Sequence, residues 1–180
     1  PVVLADSADN AGGGAPSDAT FILERVLARG ITDVATGPFW DPVAVQLCFE
    51  AGEGAQIKLR VGGKVAPVSG QPLDLDCEIL ALKRDAVMTG LAGTPALLGD
   101  VAVVRTQGVT IVMNTSRTQA MGTDLFTQFG VDLQAMKLII VKSSQHFYAS
   151  YSKVGRHVIY VETPGAITQD VNALPFTKRK

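Results

Sequence analysis

The rhythm of apolar and polar positions changes twice along this chain, dividing it into three stretches. In the first, short apolar runs alternate with segments of helical period. Residues 2–5 are uniformly apolar, the pattern of a strand covered on both faces. Phe21, Ile22, Val26 and Leu27 then recur near helical spacing, with Ser17 or Asp18 placed to cap that helix and Gly30 to stop it. Residues 31–36 return to strand character. Asp41 followed by Pro42 is a capping residue with proline at the first helical position, and Val43, Leu47 and the stop at Gly52 complete a second helix. This β-α-β-α order predicts parallel pairing.

After Gly54 the period becomes two. Residues 56–61 alternate, Gly62 and Gly63 interrupt them, and residues 73–82 alternate again. Residues 101–105 and 109–113 flank Thr106, Gln107 and Gly108, which predicts a hairpin. Residues 89–99, with three glycines and Pro95, read as an exposed loop too short to link domains. The last third reverts to α/β. Thr123 or Asp124 caps a short helix carrying Leu125, Phe126 and Phe129 and ending at Gly130; residues 138–141 and 158–161 form strands, the second closed by Thr163, Pro164 and Gly165. No internal repeat appears. The predicted fold is α/β: a mixed sheet with parallel β-α-β units at both ends of the chain and antiparallel strands or hairpins in the middle. Residues 1–180 are expected to form one domain.

Composition narrows the function classes. The apolar fraction of 47% against 18% charged residues is that of a folded globular chain. A net charge of −1 offers no basic field to nucleic acid or an anionic membrane. Only Lys178, Arg179 and Lys180 form a basic run, read as a solvated end. Cys48 and Cys77 lie far apart in apolar contexts, so neither a redox pair nor a thiolate metal site is expected, and a reduced cytoplasmic setting fits them. No run reaches the ~18 apolar residues needed to span a bilayer, and no signal peptide is visible. The chain starts at Pro1 inside a strand pattern, and we read it as a fragment or processed product of a longer protein.

Polar residues concentrate just past the apolar strands, where ligands bind in open α/β sheets. Asp6, Asp9, Asn10, Gly12, Gly13, Gly14 and Asp18 follow the first strand. Arg117 and Gln119 follow the hairpin, and Lys142, Ser143, Gln145 and His146 follow residues 138–141. Together these segments hold groups suited to anion or carboxylate recognition; the plainer reading of any one of them is a cap or a partner for loop backbone. The glycines suggest backbone N–H groups presented to a ligand, or simply a turn. Standard templates fail. The third glycine of a dinucleotide fingerprint is replaced by Ser17, no lysine makes a P-loop, and no G-x-S-x-G elbow occurs. With His146 and His157 as the only histidines and no H-E-x-x-H, no metal site is expected in this chain. His157, at a strand start, reads as structural.

Four segments carry a family resemblance: residues 6–18, Gly37-Pro-Phe-Trp-Asp-Pro42, Thr115-Ser-Arg-Thr-Gln119 and Val141-Lys-Ser-Ser-Gln-His-Phe147. In this order they resemble the C-terminal domain of the microcystinase C family, over residues 1–176. That family resembles zinc metallopeptidases named for degrading linearised microcystin peptides, and its members are about twice this length or more, with the zinc ligands in a preceding domain. The resemblance implies a peptide or amide hydrolase in which this chain lines the cleft opposite the metal. It names the preceding domain and a peptide or small-molecule substrate as partners, with a homo-oligomer possible, and zinc as a cofactor of the whole protein and not of this chain. Asp9 and His146 are then supporting catalytic candidates. The substrate-binding candidates are Asn10, Gly12, Gly13, Gly14, Asp18, Arg117, Gln119, Lys142, Ser143 and Gln145. The isolated chain is expected to be inactive. Two alternatives stand beside this: a non-catalytic structural or small-anion-binding module, and, on the damaged glycine pattern alone, a nucleotide-binding domain.

Overall fold

The computed structural model describes residues 1–168, 170, 172, 174 and 178. Among them, eight strands run β1 (Val2–Asp6), β2 (Val34–Trp40), β3 (Gln56–Val61), β4 (Leu73–Thr89), β5 (Pro95–Thr106), β6 (Val109–Asn114), β7 (Leu138–Val141) and β8 (His157–Val161). They form one sheet in the order β3-β4-β5-β6-β2-β7-β1-β8. The half from β6 to β8 is parallel and the half from β3 to β6 is an antiparallel meander. The mixed α/β architecture is therefore the one the period changes predict. β1 and β2 do run parallel, but β7 arrives from the far end of the chain and pairs between them. β3, which follows the second helix, does not join the parallel half; it lies at the opposite edge, antiparallel to β4.

Both faces of the parallel half are covered, which explains its continuous apolar runs. On one face α1 (Phe21–Ala28) and α2 (Pro42–Ala51) pack Leu23, Val26, Ala44, Val45 and Cys48 against Val34, Phe39, Ile111 and Ile140. On the other, α3 (Asp124–Thr127) and α4 (Tyr148–Tyr151) bring Leu125, Phe126, Tyr151 and the preceding Phe147 against Val3, Ala5, Ile139 and Val141. No helix among the described residues is long and apolar enough to cross a membrane.

Several local expectations are corrected. Neither Ser17 nor Asp18 caps α1. Ser17 adopts a φ of 67°, Asp18 accepts from the backbone of Lys64 and Val65, and Thr20 precedes the helix with no side-chain cap. Asp41 does cap α2, its Oδ1 accepting from Ala44 N at 3.2 Å. Yet Val43 and Leu47 face outward, 61% and 46% exposed, because the face that meets the sheet is Ala44, Val45 and Cys48. β2 starts at Val34 and runs to Trp40, later than its apolar pattern suggests. Residues 89–99 are mostly strand, since Met88 and Leu98 are buried against the α3 side and hold β4 and β5 together to Thr89 and Pro95. Asp124 opens α3 without capping it; its carboxylate accepts from the Thr89 N–H and hydroxyl. Of the basic run, Arg179 and Lys180 lie outside the described residues.

Candidate functional site

Because β6, β2, β7, β1 and β8 are parallel, their carboxyl ends share one edge of the sheet. From β1 the chain crosses over β7 to reach β2, and from β7 it crosses over β1 to reach β8. The two connections leave neighbouring strands in opposite directions, the topology that in open α/β sheets marks the carboxyl ends as the ligand edge. The three post-strand segments meet there and are tied by side chains. Asn10 Nδ2 donates to Ser144 Oγ at 2.8 Å, Ser143 Oγ donates to Gln119 Oε1 at 3.3 Å, and Gln119 Nε2 donates to His146 Nδ1 at 2.8 Å. Ala120 N also donates to Lys142 O, fixing the hairpin loop to the β7 loop.

Beneath this rim lies a buried charge cluster. The Lys142 ammonium sits 2.8 Å from Asp9 Oδ2, 3.5 Å from Asp6 Oδ2 and 2.7 Å from Ala19 O, and 4.4 Å over the Phe39 ring. Asp9 also accepts from Ser17 N at 2.8 Å and Ala19 N at 2.7 Å, so one carboxylate orders the chain between β1 and α1. Burial pushes the Asp6 carboxyl above its usual range; Lys142 opposes this and the neighbouring Asp9 adds to it. The second Asp6 oxygen accepts from Thr163 Oγ1 at 3.1 Å, tying in the segment after β8.

The geometry sorts the sequence candidates into those facing inward and those on the rim. Lys142, Asp9 and Asp18 face inward and are buried, bonded to their own chain. The exposed rim carries Arg117, Gln145 and His146, with half-buried Gln119 and the exposed Gly12, Gly13 and Gly14. Asn10 and Ser143 are buried and link its parts. The glycines do not offer a cradle of free N–H groups: Gly12 N donates to Asn10 Oδ1, Gly13 N and Ala15 N to Asn10 O, and Gly14 N to Ala11 O. Close approach is what they provide. A Cβ on Gly12 would stand 2.5 Å from Gln119 Nε2, and one on Gly13 2.5 Å from Ile167 Cδ1.

Sequence reasoning missed three roles. Lys64 donates to both oxygens of Asp41 at 2.8 Å, and Asp41 Oδ2 also accepts from Gly62 N, so the helix cap doubles as the anchor of the β3–β4 loop. Asp18 performs the same task for Lys64 N, Val65 N and Ser69 Oγ. Trp40 donates from Nε1 to Thr115 O at 2.9 Å and carries the Arg117 guanidinium 3.9 Å above its ring. Capping patterns hide the first two because the β3–β4 loop partners of each carboxylate lie more than twenty residues away, out of reach of a local rule. The aromatic in Gly37-Pro-Phe-Trp-Asp-Pro42 was the available signal for the third.

The residues present do not fit a zinc ion. His146 lies at the carboxyl edge and His157 opens β8 at the other end of the sheet. Asp6 and Asp9 face an ammonium. Among the described residues no group of three His, Cys, Asp or Glu side chains is placed to hold a metal.

Three likenesses bear on this edge. The family model described as the MlrC C-terminus matches residues 4–178. Microcystinase C from Sphingomonas sp is 42% identical over 161 residues, covering 89% of this chain and 32% of that protein. The solved structure of the "Putative metallopeptidase" from Mesorhizobium sp. BNC1 superposes with a TM-score of 0.83 at 29% identity, covering 99% of this chain and 36% of that one. The chain thus spans about a third of the length of these relatives.

Proposed function

This chain belongs to the MlrC C-terminus family, and from that premise we propose that it is the C-terminal domain of a metal-dependent peptide or amide hydrolase. Residues 1–180 make one domain, and its carboxyl-edge rim lines the substrate cleft. The metal, zinc on the family resemblance, belongs to a preceding domain, and no step of the reaction is assigned to a metal within this chain. What supports the reading is the joining of three post-strand loops into one rim through Asn10–Ser144, Ser143–Gln119 and Gln119–His146.

The work of this chain is positioning. Lys142 and Asp9 hold the β1 and β7 loops rigidly below the rim. Rigid support of this kind keeps cleft groups within the small displacements that productive binding tolerates. His146 faces the substrate and orients it by a hydrogen bond, and Gln119 supports His146 from behind at Nδ1.

The test compares the full-length protein with the 180-residue chain. Bound metal and hydrolysis of small peptides are expected in the former and absent from the latter. Alanine at His146 or Gln119 in the full-length protein is expected to lower kcat/KM by about tenfold or more, the worth of one or two polar contacts. Unchanged kcat/KM in both variants would return the chain to the class of structural modules. Hydrolysis by the isolated chain would overturn the assignment of the metal to another domain.

A further inference from the structure

The rim, outward of its buried acids, offers donors. Every carboxylate in the three loops is buried: Asp6 and Asp9 against Lys142, and Asp18 against the β3–β4 loop. Lys142 is buried with them, which leaves Arg117 as the one exposed Lys or Arg that these segments contribute. Its guanidinium carbon lies 3.9 Å from the centre of the Trp40 ring, and no acceptor among the described residues bonds its N–H groups. A guanidinium held over an aromatic ring with no acceptor on its N–H groups keeps its donor fork available, and that fork grips a carboxylate with two parallel bonds.

A second donor stands on the same lip. Gln119 lies two residues from Arg117, a reach of at most ~7 Å of extended chain, and its amide bridges Ser143 and His146. Its Oε1 lies 3.3 Å from Ser143 Oγ and its Nε2 lies 2.8 Å from His146 Nδ1, and an amide nitrogen can only donate. Nδ1 is then the acceptor, which leaves Nε2 as the ring's donor, with no partner among the described residues. The absence of a side chain at Gly12 is what gives the Gln119 amide its place.

We propose that Arg117 and His146 form a subsite for the terminal carboxylate of a linear peptide, with Gln119 as the positioning residue that holds the His146 proton on Nε2. This rests on the rim lining the cleft, and makes the whole protein selective for peptides ending in a free carboxylate near the bond that is cut.

The experiment uses the full-length protein and a mixture of random tetrapeptides offered with free and with amidated C-termini, followed by mass spectrometry. Free-ended peptides are expected to disappear about tenfold faster or more, as charge-assisted hydrogen bonds imply. Arg117→Ala and His146→Ala are expected to raise KM for free-ended peptides several times more than for the amides, with Arg117→Lys between wild type and Arg117→Ala because it keeps charge without the fork. Gln119→Leu is expected to mix the His146 tautomers in 15N spectra and raise KM for free-ended peptides less than His146→Ala does. Equal rates on both ends in wild type, equal losses on both ends in the variants, or an unchanged His146 tautomer in Gln119→Leu would overturn the subsite while leaving the cleft reading intact. Variants that alter neither substrate, or a full-length protein that cuts neither, would sink the cleft reading and the subsite with it.

Discussion

Lys142 Nζ stands 2.8 Å from Asp9 Oδ2, and the two side chains are 2% and 1% exposed. A buried pair of this kind adds little over an apolar pair of the same shape, but breaking it leaves an uncompensated charge out of water. Lys142→Met, close in volume, strands Asp9 beside Asp6; Asp9→Ala removes the nearest counter-charge and the acceptor of the Ser17 and Ala19 N–H groups. Each is expected to cost about 3–5 kcal/mol in urea unfolding of the chain. A loss below ~1 kcal/mol for both would show that the cluster is not what holds the β1 and β7 loops together.

Asp6 should behave differently, because its carboxyl titrates above its usual range through burial. A carboxyl whose folded pKa is raised stays protonated in the native state after the unfolded chain has ionised. Its contribution to stability is therefore greatest in acid and falls as pH rises from about 4, the unfolded value, through the raised folded one. Asp6→Asn removes that loss and leaves Asp9 facing Lys142. The variant is expected to gain stability relative to wild type between acid and neutral pH in parallel denaturant titrations. A gap between the two that is flat with pH, or that closes the other way, would contradict the burial argument.

Two glycines with similar crowding should respond unequally to alanine. At Gly12 the obstacle is the flexible end of Gln119, 2.5 Å from the added Cβ, so the amide swings aside and stability changes by less than ~1 kcal/mol. The Gln119–His146 hydrogen bond is lost in doing so, and the His146 15N signals should report it. At Gly62 the backbone has a φ of 59° and the added Cβ would stand 2.6 Å from the Asp18 carbonyl oxygen, which cannot rotate away. That substitution is expected to cost about 1–3 kcal/mol. Equal thermal shifts for the two would reject the distinction.

The sequence makes legible what depends on near neighbours. The Asp41-Pro42 cap, the hairpin at Thr106-Gln107-Gly108 and the four strand residues 138–141 are where local rules put them. Rules of this kind fail where a distant partner decides. Asp18 is a good capping type at a good position, but the β3–β4 loop claims its carboxylate from 46 residues away. Leu98 sits in the glycine-rich stretch 89–99 and is a strand residue because the far face of the sheet covers it together with Met88, just before that stretch. The three site segments were legible as segments, since polar runs after apolar strands are a positional signal. Their division into a buried cluster and an exposed rim was not, because Lys142 reads alike in either place until Asp6 and Asp9 are seen beside it. Arg117 was legible as a residue type, and its stacking on Trp40 was not.

Cys48 and Cys77 offer a way to follow the whole fold. Both are buried free thiols in the core that α2 shares with the meander. Burial pushes Cys48 up to about 12 and Cys77 up to about 11, chiefly by keeping a thiolate from water. At pH 8 roughly one Cys48 in ten thousand and one Cys77 in a thousand is then ionised, against about a quarter of free cysteines. Neither should react with an alkylating reagent in the native state, and both should react at one common rate set by opening of the core. Since labelling under those conditions follows the population of the open form, Lys142→Met should label both thiols faster by about the factor its loss in urea stability predicts. Gly12→Ala should label them at nearly the wild-type rate. Fast labelling of Cys48 alone in wild type would mean that α2 opens without the meander, and that the core under the rim is not one cooperative unit.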